Sequence, residues 1–536
     1  MELNVYLAAT IWTLVPIVLT IACVFITRRI LLSLFVGIIS AAFMAANFNL
    51  FSTVILIERT MTGILFYDGP NALFGVFSRW YMGIIVFLLG LGVITSFVVL
   101  TGGARAFVNS IAKRVKTRNG VQYVTVIIGI ILMIDDYFNA MVNGNIAKTV
   151  SKEHKLSRAR SSYIVDSIAA PICIVAPVSS WAVAIMGNMA TVYDNIGQNR
   201  NVFLDFIAMI PYQFYVFAAI ALVLITIKFD FNMFSMKRYE KSFQETGFDD
   251  SAETVSEGLM GDEGSSSKGT VWDFWLPIIS LTAATVITMF VTGLQGSSAV
   301  QIAEDGIVYA ILDNMSLSMS LLLGGIAGIV SSLYIGARHL KSGEVTKNQY
   351  LKAIWAGLWS MATPITILVL SWTISTLIGH LGVGYFVSDI LYAAGIGYGF
   401  IPFIMFISAS LLAFAIGTSW GTFAIVLPIA GTVVAATGNM DLLLPSMAAV
   451  LSGAVFGDHS SPISDTTVLS SAGTSAKVLA HFESQLPYAI MAAVMAGIGF
   501  LFFGITGTVF VGYVAFAITV AAVIFFVIWN KKKKPS

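Results

Sequence analysis

The chain has 536 residues, of which 57% are hydrophobic, and its 29 basic and 28 acidic residues make up 11% of the sequence. An average soluble protein is about 25% charged, so a soluble globular enzyme is excluded. The net charge of +1 and the lack of a basic domain also exclude a nucleic-acid-binding protein. At about 20 residues for each span, the length allows roughly ten to thirteen membrane helices. A polytopic transporter, a channel and a membrane enzyme are the classes that remain.

Apolar stretches that are long enough to cross a membrane follow one another along almost the whole chain. We predict eleven such spans, near residues 8–27, 30–50, 79–101, 161–190, 206–228, 273–293, 316–336, 353–378, 441–475, 484–504 and 506–529. Two further segments, 121–150 and 398–436, carry polar and glycine residues within an apolar stretch. The predicted fold class is therefore an all-α polytopic membrane protein.

A single soluble region, residues 229–272, interrupts the apolar pattern. The stretch 228–273 holds 15 of the 57 charged residues, ten of them acidic, together with Gly and Ser. We interpret it as a mobile, solvated linker on the cytoplasmic side. Its central position divides the chain into two halves, 1–228 and 273–504, and leaves an extra helix with a basic tail at 505–536.

The Lys and Arg residues predict the orientation, because cytoplasmic loops of membrane proteins are enriched in basic residues. Seven clusters between Arg28 and Lys534 contain 26 of the 29 basic residues, and we place them all in the cytoplasm. The N-terminus is then outside and the C-terminus is cytoplasmic. Segment 121–150 has basic residues on both flanks, so it must enter and leave the membrane on the same side. We expect a hairpin with its polar turn at Asp135–Gly144.

The two halves match in their predicted topology. Each half contains five crossings and one hairpin, and an odd number of crossings inverts the second half relative to the first. Inverted repeats with broken helices are typical of secondary transporters, whose sites lie near the middle of the membrane where the repeats meet. We therefore expect an inverted-repeat transporter with about 11 transmembrane helices plus two re-entrant or broken-helix hairpins, near 121–150 and 398–436.

Five acidic residues are predicted to lie at membrane depth, where a carboxylate is costly and usually faces a cavity or a partner. They are Asp135, Asp136, Asp166, Asp458 and Asp465. The alternative roles are a helix cap and an ion pair near the membrane surface. The ion pair is the stronger alternative for Asp166, which follows Arg158 and Arg160 closely.

The densest group of polar residues is the stretch 457–467, which reads Gly-Asp-His-Ser-Ser-Pro-Ile-Ser-Asp-Thr-Thr. Pro462 breaks the helix and frees backbone carbonyls. The stretch supplies the hard oxygen ligands that suit Na⁺, from Asp458, Asp465, Ser460, Ser461, Ser464 and Thr466. A buried carboxylate can also bind a proton, because burial disfavours its charged form, and competition of Na⁺ and H⁺ for one carboxylate is sufficient for exchange. The alternative is a polar packing seam in which Ser and Thr bond across helices.

Further candidates lie in the hairpins and beside the motif. The second hairpin offers hydroxyls and flexible backbone that could face an ion or a carboxylate, with packing of small residues as the alternative. Its candidates are Thr418, Ser419 and Thr422. Asn139 and Asn143 share a face with Asp135 and Asp136 if that stretch is helical, and they could complete a cation shell or bind a polar substrate. His459 could carry a proton, with a structural hydrogen bond as the alternative.

The stretch 457–467 resembles the signature of NhaC-type sodium/proton antiporters, within the broader ion-transporter superfamily. Residues 417–422, Gly-Thr-Ser-Trp-Gly-Thr, and the element from Asp166 to Pro171 also resemble that family. The resemblance covers nearly the whole chain, with the linker excepted. It implies a cation-coupled transporter of the inner or plasma membrane, with these elements in the ion site, and a homodimer. Members of such a family include exchangers of organic acids and carriers of amino acids.

We therefore expect a secondary transporter that exchanges Na⁺ for H⁺ by alternating access, with Asp458 and Asp465 binding Na⁺. The alternative is Na⁺- or H⁺-coupled transport of an amino acid or a small organic acid on the same scaffold. A channel would need matching filter residues from several subunits. The sequence has no HExxH, GxSxG or P-loop motif, so neither an enzyme nor an ATP-driven pump is expected. The expected partners are Na⁺, H⁺ and the lipid bilayer, with no cofactor besides the transported Na⁺.

Overall fold

The computed structural model describes residues 10–27, 29–65, 80–112, 117–151, 154–253 and 266–532. Within these ranges the protein is almost entirely helical, and its β-structure is one isolated bridge between Ala252 and Ala476. The predicted all-α class is confirmed. The predicted positions of the N-terminus, of Arg28 and of the last residues of the basic tail, 533–536, lie outside the described residues.

The described part of the chain before the linker forms eleven α-helices. They are α1 (Val15–Thr27), α2 (Ile30–Ala45), α3 (Leu50–Leu65), α4 (Trp80–Leu100), α5 (Gly103–Ala112), α6 (Arg118–Ile131), α7 (Asp136–Ser151), α8 (Arg158–Val175), α9 (Ser180–Asn195), α10 (Val202–Met209) and α11 (Phe214–Phe229). One further helix, α12 (Phe234–Thr246), lies within the linker region.

The described part after the linker forms thirteen α-helices. They are α13 (Val271–Gly296), α14 (Ala299–Asp305), α15 (Ile307–Asn314), α16 (Leu317–Lys341), α17 (Lys347–Ser360), α18 (Ala362–Leu381), α19 (Val383–Ala393), α20 (Ile401–Ile416), α21 (Ser419–Thr437), α22 (Leu443–His459), α23 (Asp465–Thr474), α24 (Val478–Thr506) and α25 (Val509–Lys532).

The number of membrane-spanning helices agrees with the sequence. Among the described residues, 10 helices are long and apolar enough to cross a membrane, and up to 12 do so if each strongly bent pair counts as one span. The bent pairs are α2 with α3, at 118°, and α8 with α9, at 46°. The protein is a multi-pass membrane protein. Helix α3 was not predicted, because its polar residues lower the hydropathy of that stretch below that of its neighbours.

Two of the predicted spans are interrupted within the membrane. Segment 441–475 is divided into α22 and α23 by the non-helical residues 460–464, as Pro462 indicated. Segment 161–190 is divided into α8 and α9 by residues 176–179, and this break was not predicted. Pro177 lies in this break, whereas Pro171 lies inside α8.

The first hairpin is formed by α6 and α7, but the predicted turn at Asp135–Gly144 is wrong. The turn spans residues 132–135, and the chain is helical from Asp136 onward. The carboxylate of Asp135 accepts a hydrogen bond of 2.9 Å from the Phe138 amide, which caps the start of α7. This cap allows the polar residues after Asp135 to remain helical.

A hairpin followed by a broken helix occurs twice in the chain. Hairpin α6–α7 precedes the broken helix α8–α9, and hairpin α20–α21 precedes the broken helix α22–α23. Helices α7 and α8 pack on α23 from the other half, and α9 packs on α21. The halves therefore complete each other around the two broken helices. The inversion of one half relative to the other stays a prediction.

Close approach of α7 and α23 depends on glycine at the contact. A Cβ atom on Gly144 would lie 2.8 Å from the backbone carbonyl carbon of Gly473, which is too short for a real contact. A Cβ atom on Gly473 would lie 2.7 Å from the Ala140 carbonyl oxygen. Because neither residue has a side chain, the backbones of the two helices touch, and the start of α7 is held beside the start of α23.

The described part of the linker makes defined contacts with the helices of the first half. Glu240 of α12 forms an ion pair with Arg118 and accepts a 2.9 Å hydrogen bond from the Ser157 amide. Asp249 and Ser251 accept bonds of 2.7 and 3.0 Å from the first amides of α8. The linker is held because its carboxylate and hydroxyl groups satisfy amides that a helix N-terminus leaves unpaired.

The same linker segment also contacts the second half. The Lys477 amide donates to the Ser251 carbonyl at 2.8 Å, and the Glu253 amide donates to the Ser475 carbonyl at 3.0 Å. Residues 475–477 connect α23 to α24. The linker therefore contacts the start of α8 and the end of α23. Each of these two helices has a chain break at its other end, at 176–179 and 460–464.

Candidate functional site

Four interruptions of helices meet inside the protein. They are residues 132–135, 176–179, 417–418 and 460–464. The Ser180 amide, just after the second interruption, donates a 2.7 Å bond to the Ile134 carbonyl in the first. The Asp465 amide, just after the fourth, donates a 3.3 Å bond to the Gly417 carbonyl in the third. Backbone groups that a continuous helix would use internally are therefore available at one place.

Asp458 is fully buried at the end of α22 and is surrounded by hydroxyl groups. Ser464 donates to its Oδ1 at 2.5 Å, and Ser419 donates to its Oδ2 at 2.8 Å. Thr466 lies 3.4 Å from Oδ2. Three predicted ligands therefore lie at this carboxylate. Ser419 comes from the second hairpin, and Ser464 and Thr466 come from the motif after Pro462.

Asp465 is half-buried at the start of α23, and Thr418 lies beside its carboxylate. The Tyr137 hydroxyl donates to its Oδ2 at 2.6 Å, and the Thr466 amide donates to its Oδ1 at 2.9 Å. Gly417 has a φ of +74°, and a Cβ atom there would lie 2.7 Å from the Ile463 carbonyl oxygen. Glycine therefore permits the tip of the second hairpin to touch the break before Asp465.

Asp136 is the least satisfied acidic residue of the site. Its side chain is 1% exposed, and neither carboxylate oxygen has a hydrogen-bond partner among the described residues. It lies close enough to Asp135, Asp458 and Asp465 for electrostatic interaction with each of them, and the Trp181 indole faces it. The four carboxylates, Asp135, Asp136, Asp458 and Asp465, are called the carboxylate cluster below.

The carboxylate cluster has no basic counter-ion among the described residues. None of its four members forms an ion pair with Lys, Arg or His there. Uncompensated carboxylates at such depth are costly unless a cation or a proton neutralises them. In the described ranges no three His, Cys, Asp or Glu side chains converge as a metal site. A cation at the cluster would therefore take further ligands from hydroxyl and carbonyl oxygens.

Several predicted site residues lie near the cluster without pointing to it. Ser460 and Thr422 donate to carbonyls of their own helices, at 2.8 and 3.0 Å. Asn139 and Asn143 share one face of α7, as expected, but they donate to carbonyls of α6 at 2.7 and 3.0 Å and brace the hairpin. The Ser461 hydroxyl is buried with no partner among the described residues.

Asp166 and His459 belong to a neighbouring network. His459 Nδ1 lies 3.1 Å from the Tyr215 hydroxyl, and neither ring nitrogen bonds a carboxylate of the cluster. Asp166 is fully buried and contacts His481 and Gln485 of α24. The ion pair with Arg158 or Arg160 that the sequence offered as an alternative for Asp166 does not form among the described residues.

Sequence reasoning missed Tyr137, Ser180 and Trp181. Tyr137 directly follows the paired aspartates, so its hydroxyl could have been considered with them. Ser180 and Trp181 follow the unpredicted break at 176–179, which contains Pro177, so the position of this break could have been found from the sequence. Trp181 packs against Trp420 of the second hairpin, with ring centroids 5.8 Å apart, and the two indole N–H groups are buried without a partner among the described residues.

The sequence of residues 172–505 matches the Na⁺/H⁺ antiporter family. The chain belongs to this family. The match covers more than half of the chain and includes the second hairpin, the motif after Asp458 and the break at 176–179. The resemblance inferred from residues 417–422 and 457–467 is confirmed, and the protein is a secondary transporter, not an enzyme.

Two proteins of known sequence are similar to this chain. An uncharacterized protein of Haemophilus influenzae is 35% identical over 530 residues, which cover 97% of this chain and 95% of that protein. A malate-2H⁺/Na⁺-lactate antiporter of Bacillus subtilis is 41% identical over 105 residues, which cover 18% of this chain and 22% of that protein. The first similarity extends over nearly the whole chain.

A solved structure with a similar fold is the Alcanivorax borkumensis YdaH transporter. It superposes with a TM-score of 0.54 over 86% of this chain and 89% of that chain, at 13% sequence identity. At this identity the likeness concerns the fold alone. It supports the helical arrangement that brings the two hairpins and the two broken helices together.

Proposed function

We propose that this protein exchanges Na⁺ for H⁺ across the cell membrane by alternating access, with the carboxylate cluster as the Na⁺ site. The absence of a basic partner for the cluster among the described residues is the observation that carries this proposal. Na⁺ is a hard cation, and carboxylates, hydroxyls and backbone carbonyls at broken helices are the ligands that such ions take in transporters. Membership of the Na⁺/H⁺ antiporter family supports the same ion.

Asp458 is the central ligand in this proposal. It accepts bonds from the hairpin and from the broken helix of the second half, through Ser419 and Ser464. When Na⁺ binds, these hydroxyls can rotate so that an oxygen lone pair faces the ion, because a hydroxyl both donates and accepts. Asp136 supplies the nearby charge that no described group neutralises.

In this proposal, Asp465 and its neighbours line the path by which Na⁺ enters the site. Asp465, Tyr137 and Thr418 are half-buried, whereas Asp458 and Asp136 are enclosed. We propose that Na⁺ passes Asp465 before it reaches Asp458. Movement of the hairpin tips against the broken helices would then close this path and open another on the opposite side. The plasma-membrane location and the homodimer remain predictions.

The second candidate function is coupled exchange of a small organic acid. The Bacillus subtilis relative carries malate and lactate according to its name, and its similarity covers 18% of this chain. The buried indole N–H groups of Trp181 and Trp420 are donors without partners among the described residues. Two such donors beside a bound Na⁺ are suited to a carboxylate group, which accepts hydrogen bonds but donates none.

Flux in proteoliposomes distinguishes the two functions. The purified full-length protein is reconstituted with a pH-sensitive dye inside, and a Na⁺ gradient is imposed with no organic solute present. Proton movement that follows the Na⁺ gradient is the expected result. The same vesicles then receive malate, lactate or an amino acid. If protons move only after one of these additions, the function is solute-coupled exchange and the proposed Na⁺/H⁺ exchange is wrong.

A further inference from the structure

A second buried polar group lies next to the carboxylate cluster. Asp166 of α8 is fully buried, and so is His481 of α24. His481 Nε2 lies 3.3 Å from Asp166 Oδ2, and Gln485 Nε2 donates to the same oxygen at 2.6 Å. Ser470 of α23 donates to Asp166 Oδ1 at 3.0 Å. Asp166 and His481 are called the Asp–His pair below.

The hydrogen bonds fix where this pair can take a proton. A carboxylate is an acceptor only, so His481 must carry its hydrogen on Nε2, the nitrogen that faces Asp166. In the neutral ring Nδ1 then holds a free lone pair. Nδ1 is buried and has no hydrogen-bond partner among the described residues. A proton added at Nδ1 breaks no bond and changes the charge of the pair from −1 to zero.

Other ionisable groups approach the pair from the helices packed around it, but they are less suited to hold the proton. Those that interact electrostatically with Asp166 are Tyr215 of α11, Asp458 and His459 of α22, and Asp465 of α23. His459 bonds Tyr215 by Nδ1 and has no carboxylate within hydrogen-bond distance. His459 interacts with the Asp166 carboxylate only at a distance, whereas His481 bonds it directly.

The charge of Asp166 acts on the Na⁺ site. Asp166 lies close enough to Asp458 and Asp465 for electrostatic interaction with both. While the pair is negative, it attracts a cation to the cluster. A proton on His481 removes that attraction, and a bound Na⁺ in turn opposes the proton by the same coupling energy, because linkage is reciprocal. Such mutual opposition between two cations is what an exchanger requires.

We propose that the transported proton is carried by the Asp–His pair, at Nδ1 of His481, and that Na⁺ binds separately at the carboxylate cluster. This inference rests on the proposed Na⁺/H⁺ exchange and assigns the proton to a different site. Gln485 is a positioning residue in it, since its amide bonds both Asp166 and the His459 carbonyl, at 2.6 and 3.0 Å. It thereby ties the pair to the helix that ends beside Asp458.

The test separates Na⁺ binding from proton movement in two assays on reconstituted full-length protein. Counterflow of radioactive Na⁺ at equal pH measures binding and exchange of Na⁺ alone. Dye-reported proton flux under a Na⁺ gradient measures exchange of Na⁺ for H⁺. The variants are His481→Gln, whose amide can still donate to Asp166, and Asp166→Asn, which has nearly the same shape. The control is His380→Gln, since His380 is exposed at the end of α18.

In His481→Gln the negative charge of Asp166 remains, so Na⁺ counterflow is retained, while Na⁺-driven proton flux falls by about tenfold or more, the size of a typical coupling between sites. In Asp166→Asn the charge is lost, so counterflow and proton flux both fall. Counterflow of the unaltered protein declines as the pH falls, and this decline is absent in His481→Gln. His380→Gln behaves as the unaltered protein in both assays.

Three results overturn the inference. If His481→Gln retains proton flux with an unchanged pH profile, the proton is carried at another site. The proposed Na⁺/H⁺ exchange would still be valid. Parallel loss of counterflow and proton flux in both variants assigns the pair a structural role. If the unaltered protein moves no protons under a Na⁺ gradient, the proposed function fails first, and the inference fails with it.

Discussion

At the residue scale, the seven hydroxyl and carboxyl side chains of the stretch 457–467 do not act as one group. Asp458 collects Ser419, Ser464 and Thr466, whereas Ser460 bonds within its own helix. The distinction follows from the break at 460–464, where the chain leaves α22 and re-enters a helix at Asp465. Residues on the two sides of a break no longer share the helical spacing, so their side chains can converge on one carboxylate.

The substitution Asp458→Asn tests the central ligand. It removes one negative charge but keeps the size of the side chain, and the amide oxygen can still accept a bond from one of Ser419 and Ser464. We expect Na⁺-dependent flux in proteoliposomes to fall by roughly 100-fold or more, since even indirect supports of an ion site cost up to that factor. The control is Asp389→Asn at an exposed position of α19, where flux should not change. Wild-type flux in Asp458→Asn would remove Asp458 from the ion path.

At the element scale, the hairpins and the broken helices are positioned by backbone contacts rather than by side-chain volume. Gly144 on α7 touches Gly473 on α23, and Gly417 at the tip of the second hairpin touches Ile463. The first contact joins the two halves of the chain. The second joins the hairpin tip to the motif at 457–467 within the second half. Small residues at such contacts let helices approach closely, which is the usual way in which membrane helices pack.

Enlarging one of these glycines should separate the elements. In Gly144→Ala the added methyl group meets the Gly473 backbone, and we expect a loss of about 2 kcal/mol in stability, as for other overpacked sites. In Gly63→Ala the methyl group meets no atom within 4 Å, so its effect should be small. Thermal unfolding of both variants in detergent measures the difference. Equal midpoints for the two variants would contradict the proposed contact.

The linker is a second element whose role depends on its contacts. Glu240 is buried and holds both Arg118 and the Ser157 amide, so Glu240→Ala leaves the Ser157 amide without this acceptor and Arg118 with the more distant Asp230. We expect a loss of about 3 kcal/mol, the lower end for breaking a buried ion pair. The control is Glu245→Ala, since the Lys241–Glu245 pair is exposed and contributes roughly 0.3–0.5 kcal/mol. A thermal midpoint of Glu240→Ala as high as that of Glu245→Ala would show that the linker is not held by this pair.

At the scale of the whole molecule, the basic clusters assigned to one face by the sequence do meet at shared contacts. The Lys477 ammonium donates to the Asp250 carbonyl at 3.0 Å, and the Arg158 amide donates to Asp249. Lys268 forms a 2.6 Å ion pair with Glu344, in the loop between α16 and α17. Contacts of this kind join loops that lie far apart in the sequence.

A different set of loops meets in the same way. Asn201 Nδ2 donates to the Leu312 carbonyl at 3.0 Å, and Asn195, Gly382 and Gly438 line a common cavity. The molecule therefore has a group of joined basic loops and a group of joined loops with few basic residues. This division is what the predicted orientation requires, because basic loops stay in the cytoplasm.

Cysteine labelling in whole cells measures the orientation. Asn119→Cys and Lys155→Cys flank the first hairpin, and both positions are exposed. We expect a membrane-impermeant thiol reagent to label neither of them until the cells are opened. Asn439→Cys, in the exposed loop between α21 and α22, should react in intact cells. Labelling of positions 119 and 155 from opposite sides would overturn both the hairpin and the repeat.

The sequence by itself determined the class of the protein, most of its spans and its family. The hydropathy of a stretch indicates whether it is stable in lipid. Some spans could therefore be predicted without any knowledge of their neighbours, namely α4, α13, α16 and α25. Pro462 removes a backbone donor wherever it lies in a helix, so the break between α22 and α23 was predictable too. The break at 176–179 carries the same signal in Pro177, although it was not predicted.

Tertiary structure decided which polar residues work together. Asp166 looked like a member of the Asp458 motif or a partner of Arg158, yet its contacts come from Ser470, His481 and Gln485, more than 300 residues away in the sequence. The linker looked solvated from its composition, yet Asp249 and Ser251 satisfy the amides at the start of α8. Composition and spacing report only local preference, whereas the partner of a buried carboxylate is set by which helices pack together.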